Sequence, residues 1–273
     1  MSTPSDREMR IAAQIVYPWR WMVSPVFYGI DNIPDKGPLL FVCNHSLGGF
    51  LDAPYMYVEV FQKKGIRLRP LGDHFHFDVP LWGSMLRRFG VVDGTRENCA
   101  ELMRQGESIL VFPGGAREVT KRRGEKYQLI WKDRLGFARL AIAHGCTIVP
   151  VAALGVEDAV DILYDGDDMM ASPIVGSLLR RLHIRPDFLF PVVKGVGPTP
   201  FPRPERLYFR IGLPVDPKDF GTDPVDEAAV RDLRDIVRSD IIEGIHYLRE
   251  RRAADPYRPV LRRLVSRVRR GRR

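Results

Sequence analysis

The 273-residue chain is 45% hydrophobic with a net charge of +8, enough apolar material for one large or two small folded domains. Its three cysteines, Cys43, Cys99 and Cys146, are odd in number and widely spaced, which argues against a disulfide framework or a zinc pattern and for buried thiols in a reduced, intracellular protein. No stretch supplies the roughly 20 apolar residues a membrane-spanning helix needs, and the charged Met1–Arg10 is followed by no cleavable apolar core, so neither a span nor a secretory signal is expected.

In chain order, Arg7–Met22 reads as a helix, with Ile11, Ile15, Trp19 and Met22 at helical spacing and Pro18 as a kink or restart. The aromatic residues Tyr17, Trp19, Trp21 and Tyr28 suit either a lipid interface or packing over a sheet. Leu39–Cys43 is a strand, Phe50–Phe61 a helix, Ile66–Leu71 a strand, Val79–Phe89 a helix begun near Pro80, and Gly90–Val92 a short strand. Arg96–Gln105 is a helix closed by Gly106, Ser108–Phe112 a strand, Asp133–His144 a helix ended by Gly145, and Thr147–Leu154 a strand. Phe188–Val193 and Leu207–Ile211 complete the strands, Pro224–Arg252 is mostly helix, and Tyr257–Arg270 is a last helix.

Alternating strands and helices predict an α/β fold, one mixed sheet flanked by helices on both faces, with helical additions at both ends. Residues 1–30 form the first addition, 31–253 the α/β domain and 254–273 the second. In that last segment Tyr257, Val260, Leu261, Leu264, Val265 and Val268 fall on one helical face, and Arg262, Arg263, Arg267 and Arg270 lie largely off it. Seven of the net positive charges sit in Pro259–Arg273, so the remainder of the chain is nearly neutral, about +1. A basic amphipathic helix of this kind can lie on an anionic membrane surface. No nucleic-acid-binding motif accompanies the arginines, so a nucleic-acid partner is not expected.

Two segments carry polar residues where a strand ends. Asn44-His45, followed by Asp52, offers a general base and a carboxylate that could orient it; the alternative is a structural histidine with Asp52 as a helix cap. Phe112-Pro113-Gly114-Gly115-Ala116-Arg117-Glu118 offers backbone amides and a guanidinium for an anion; the alternative is a tight turn with a surface ion pair. Asp73-His74-Phe75-His76, read as extended, would put two histidines on one face, but no third metal ligand is evident, so no metal site is assigned. The absence of a Gly-x-Ser-x-Gly elbow argues against an α/β-hydrolase.

Together these segments resemble the glycerolipid and lysophospholipid acyltransferase superfamily. The order matches: Asn-His then Asp, Gly90-Val91-Val92-Asp93-Gly94-Thr95-Arg96 in place of the arginine-bearing acceptor motif, the Phe-Pro-x-Gly-x-Arg loop, then Ile148-Val149-Pro150-Val151. The resemblance runs from about Pro34 to Val215. Phe112–Glu118, Glu125-Lys126-Tyr127, Trp131 and Gly136–Ala141 are similar to the branch holding diacylglycerol-acyltransferase-like proteins and phytyl ester synthases, which often acylate neutral alcohols. Two departures stand out: six residues rather than four separate His45 from Asp52, and the usual Phe-Pro-Glu-Gly-Thr-Arg has a glutamate where this chain has Gly114, a slot Glu118 does not occupy in the sequence.

The resemblance implies direct acyl transfer from acyl-CoA or acyl carrier protein to a lipid hydroxyl, with no cofactor. His45 would be the base and Asp52 its orienting partner. Arg96, Gly114, Gly115, Arg117 and Glu118 would serve acceptor, phosphate or acyl-donor binding. The expected setting is peripheral, on the cytoplasmic face of a membrane. The alternatives are a lysophosphatidic-acid-type acyltransferase and a membrane-lipid-binding protein without catalysis.

Overall fold

A computed structural model describes residues 3–49 and 51–270, with side chains through Val265. Ser5 opens α1 (Asp6–Val23) through a reciprocal capping box with Glu8, and the helix runs on through Pro18. Next come β1 (Val26–Tyr28), β2 (Leu39–Cys43) and α2 (Ala53–Lys64). Asp52 caps α2, so the helix starts later than Phe50; Phe50 itself lies outside the described residues. The chain continues through β3 (Leu68–Gly72), α3 (Phe75–Asp78), α4 (Trp82–Arg88), β4 (Val92–Asp93), α5 (Arg96–Arg104), β5 (Ser108–Val111), α6 (Gly115–Val119), α7 (Gly136–His144) and β6 (Thr147–Leu154). The helix expected over Val79–Phe89 is α4 and begins only at Trp82, because Leu81 adopts a positive φ of 63° beside Pro80; the separate short α3 precedes it.

Then follow β7 (Asp161–Tyr164), α8 (Gly166–Ala171), α9 (Pro173–Arg181), β8 (Val192–Lys194), β9 (Tyr208–Ile211), α10 (Glu227–Ala253) and α11 (Val260–Arg270). Seven strands form one sheet in the order β1-β9-β6-β2-β5-β3-β4 among the described residues. Only the β6–β9 pairing in it is antiparallel, so the sheet is mixed as expected. β7 and β8 pair with each other in a separate ribbon.

β2 is the central strand. It pairs in parallel with β5 and β6, with Leu40 opposite both Ile109 and Ile148. Its five residues are all buried, the mark of a parallel strand covered on both faces. Leu40 and Val42 pack into a core with α5, α7 and α10, while Leu39, Phe41 and Cys43 pack on the other side with α1 and α2. All three cysteines are free and buried. This layering brings the carboxyl ends of β2, β5 and β6 to one edge, where ligands of such sheets are held.

Candidate active site

His45 leaves the end of β2 half-buried, its ring stacked on Phe112 from the end of β5 with centroids 4.0 Å apart. Gly48 and Gly49 both take positive φ, 82° and 66°, and turn the chain sharply back toward α2. The close approach at Gly49 is what requires glycine: a Cβ there would lie 2.7 Å from His45 Cε1 and 3.0 Å from Nε2. His45 Nδ1 is buried without a hydrogen-bond partner among the described residues. Burial pushes the imidazole pKa down to about 4; the Asp52 carboxylate pulls against this, and Lys121 adds to it. The ring is therefore neutral at physiological pH, the form a general base needs.

Asp52 is buried, and its two oxygens are both engaged: Ser46 Oγ donates at 2.5 Å and the Ala53 amide at 2.7 Å. It thus acts on His45 through its charge, and the hydrogen bonds it makes are to Ser46 and the helix start. Asn44 clamps the strand end: its amide donates to the Ala153 carbonyl at 3.0 Å, and its oxygen accepts from the Ala153 amide at 2.7 Å.

The second segment is a loop that passes into α6. Glu118 is fully buried, and its two oxygens accept from the His45 amide (3.0 Å) and the Ile130 amide (3.1 Å). A Cβ added at Gly114 would overlap the Glu118 carboxylate. Glu118 therefore lies in the space that a side chain at position 114 would enter. The glycine and the glutamate are one device: the side chain missing at 114 is supplied from one helical turn further on. Burial raises the Glu118 pKa to about 7, against the pull of Lys121 and the two amides.

Arg117 is buried, paired with Glu125 and 3.8 Å from Asp187. Its charge is largely spent inside the protein. Arg96 is exposed at the start of α5, beyond the edge strand β4. Gly115, at φ 51°, lies under the Arg134 guanidinium, which donates to the Pro113 carbonyl at 2.8 Å. The structure thus brings His45, Asp52, Gly114, Gly115 and Glu118 to one sheet edge, sets Arg117 behind them and leaves Arg96 at the flank.

Several participants escaped the sequence reading. Ser46 holds Asp52. Lys121 and Glu157 form a buried ion pair at 2.5 Å, and the Tyr127 amide donates to Glu157. Ser46 sits beside two singled-out residues, a signal within reach; no local pattern marks Lys121–Glu157, which are 36 residues apart. Tyr127 lines the space against Ser46 and Asp52, and also a cavity of about 370 Å³ bounded by Lys126, Asp158, Arg249, Arg252 and Arg258. His74 and His76 lie on a helical turn rather than a strand, and His74 Nδ1 meets Asp93 at 2.7 Å.

Residues 24–154 match the Acyltransferase family model. The chain belongs to the glycerolipid and lysophospholipid acyltransferase superfamily. It is 29% identical over 267 residues to phytyl ester synthase 2, chloroplastic, from Arabidopsis thaliana, spanning 90% of this chain and 37% of that protein. It is 30% identical over 191 residues to the "DGAT1/2-independent enzyme synthesizing storage lipids" of Bos taurus, spanning 70% of this chain and 52% of the relative. The chain thus spans between a third and about half of the length of these curated relatives. The crystal structure of the 1-acyl-sn-glycerophosphate acyltransferase PlsC from Thermotoga maritima shares the fold, with a TM-score of 0.55, 19% identity, and coverage of 89% of this chain and 79% of that one.

Proposed function

We propose that this acyltransferase domain moves a fatty acyl group from a thioester, acyl-CoA or acyl carrier protein, to the hydroxyl of a glycerolipid or another lipid alcohol. The observation that carries this reading is His45 at the end of the central strand, held neutral by burial, with Gly49 beside it lacking the side chain that would collide with its Cε1 and Nε2. His45 takes the proton as the hydroxyl oxygen attacks the thioester carbonyl. The C–S bond then breaks, and the leaving thiolate recovers that proton. Asp52 stabilises the transient imidazolium by its charge. The similarity to phytyl ester synthase 2 and the storage-lipid enzyme supports a neutral acceptor. So does Arg117, which is already paired inside the protein.

The test is transfer of labelled acyl-CoA to a panel of lipid alcohols by wild type and His45→Ala. Turnover by a folded His45→Ala protein at the wild-type rate would sink the His45 mechanism.

A phosphorylated group, on acceptor or donor, is favoured by one observation. The cavity beyond Tyr127 is lined by Lys126, Arg249, Arg252 and Arg258; Lys126 and Arg252 pair with Asp158 and Arg258 lies near Glu205, which leaves Arg249 as the lining cation without an ion-pair partner among the described residues. Comparing a monoacylglycerol with its phosphate, in wild type and Arg249→Ala, separates the two acceptors.

No helix of the described residues is long and apolar enough to cross a membrane. Peripheral attachment at the cytoplasmic face is the setting we propose, with α11 contributing. Leu261 and Val265 of α11 are exposed, whereas Arg263, placed off the apolar face by its spacing, is buried and donates to the carbonyls of Met22 and Pro204. That arginine docks the helix, and Arg262 is left exposed beside it; the side chains of Arg267 and Arg270 lie outside the described residues.

A further inference from the structure

Residues 159–196, between β6 and β9, form a small module of the β7–β8 ribbon with α8 and α9. Its polarity is inverted. Ile174, Val175, Leu178, Leu182, Phe188, Phe190 and Val192 are all exposed, Ile174 by 82% and Leu182 by 59%. Ile174, Val175, Leu178 and Leu182 fall at spacings of one, three and four, so they form one face of α9 and its end. Exposed apolar residues scattered singly need no explanation, but a contiguous set of this size marks an interaction surface.

The charges are sorted in the opposite sense. All five acidic residues of the module are bound to cations of the main body: Asp161 to Arg203, Asp165 and Asp168 to Arg123, Asp167 to Arg122, and Asp187 to Lys132. Its four cations, Arg180, Arg181, Arg185 and Lys194, are exposed and have no ion-pair partner among the described residues. The module therefore holds to the body through its carboxylates and turns outward a surface that is apolar and positive. Asp187 and Thr120 also tie it to the end of α6, next to the Gly114 loop, with Thr120 Oγ1 donating to the Asp187 carbonyl at 3.0 Å.

We propose that this face docks on an anionic lipid bilayer, with the apolar side chains of α9 entering the headgroup boundary and Arg181 and Arg185 lying among phosphates. An apolar face rimmed by cations is the pattern that the bilayer surface rewards twice, through buried area and through charge. The inference rests on the acyltransferase reading only for its purpose, delivery of a lipid hydroxyl to the adjacent sheet edge. It makes the module, rather than α11 alone, a principal contact.

The experiment is flotation of the full chain with vesicles of phosphatidylcholine alone and of phosphatidylcholine with phosphatidylglycerol. The variants are Ile174→Ser/Leu178→Ser/Leu182→Ser and Arg181→Glu/Arg185→Glu, with Leu261→Ser/Val265→Ser for comparison and circular dichroism confirming the fold of each. The triple serine variant is expected to lose partitioning at least about tenfold on both vesicles, since each side chain withdrawn from lipid forfeits burial. The charge variant is expected to lose the preference for phosphatidylglycerol. Wild-type partitioning by the triple variant overturns the proposal, as does a wild type that fails to float. It is also overturned if the substitutions abolish a dimer in sedimentation while flotation is unchanged, for then a second copy covers the face. Acyl transfer to a detergent-dispersed alcohol by the same proteins tests the enzymatic reading separately. Transfer without flotation defeats the docking face alone, and flotation without transfer defeats the enzymatic reading alone.

Discussion

The sheet edge around His45 and the module of residues 159–196 are built on opposite plans. At the sheet edge, polar groups are drawn inward and given partners: Asp52 to Ser46, Glu118 to two backbone amides, Lys121 to Glu157. In the module, carboxylates reach back to the body and the apolar groups are turned out. Burying a charge is costly unless it is hydrogen-bonded or paired. The first region therefore spends stability to hold a neutral base in place. The second leaves apolar surface in water, which is costly unless something covers it.

The contrast is broken most directly at the sheet edge. His45→Ala is expected to reduce acyl transfer at least about a hundredfold, the usual share of a positioned base, without lowering Tm, measured by labelled-acyl assay and thermal melt. Because the imidazole must be neutral to act and burial holds its pKa at about 4, kcat/KM should stay level as pH falls toward 5. It should decline only as pH passes through 4. An acid limb centred near 6.5 would mean that the base is solvated or is not His45.

The Gly114–Glu118 device allows a sharper test. Gly114→Ala drives a methyl into the Glu118 carboxylate and should cost roughly 1–3 kcal/mol of stability, the range for overpacking, along with most of the activity. Gly114→Glu alone should be worse. Gly114→Glu combined with Glu118→Ala restores a single carboxylate to the space, now from position 114 as in the commoner motif. It should recover stability and part of the turnover. Failure of that rescue in a folded double variant would show that the two positions are not interchangeable.

Glu118 also gives the protein a pH signature. Its folded pKa, about 7, lies above the ordinary carboxylate value of 4.5, so between those values the native state binds more proton than the unfolded chain. Stability should therefore fall as pH rises from about 4.5 to 7. Glu118→Gln should flatten that slope in denaturant titrations across this window. It should also destabilise by about 1.5–3 kcal/mol, because an amide can accept from only one of the His45 and Ile130 N–H groups and turns its own N–H₂ toward the other.

The same two regions show what was legible in the sequence. β2, β5 and β6 were readable because strands buried on both faces are continuous apolar runs, and Thr147–Leu154 begins and ends where its run does. His45 and the Gly114 loop were readable as strand-end polar residues. The role of Glu118 was not, since its slot is shared through space across a helical turn rather than aligned along the chain. The module was largely missed as well: α8 and α9 are six and nine residues long, and their apolar positions answer to no interior. The strand expected over Phe188–Val193 begins instead at Val192.

The smallest expected effect tests the idea that this outward face contributes nothing to the fold. Leu178 is 56% exposed, whereas Leu40 is fully buried in the central strand. Leu40→Ala should cost about 2–5 kcal/mol, as large-to-small changes in a core do. Leu178→Ser should leave stability within about 0.5 kcal/mol of wild type, as for surface positions generally, because the side chain gives up little burial and the new hydroxyl is free to meet water. A thermal or urea melt decides it. A loss of several kcal/mol would mean that Leu178 is an interior residue of the free protein, and the contrast between the two regions would then collapse into one ordinary core.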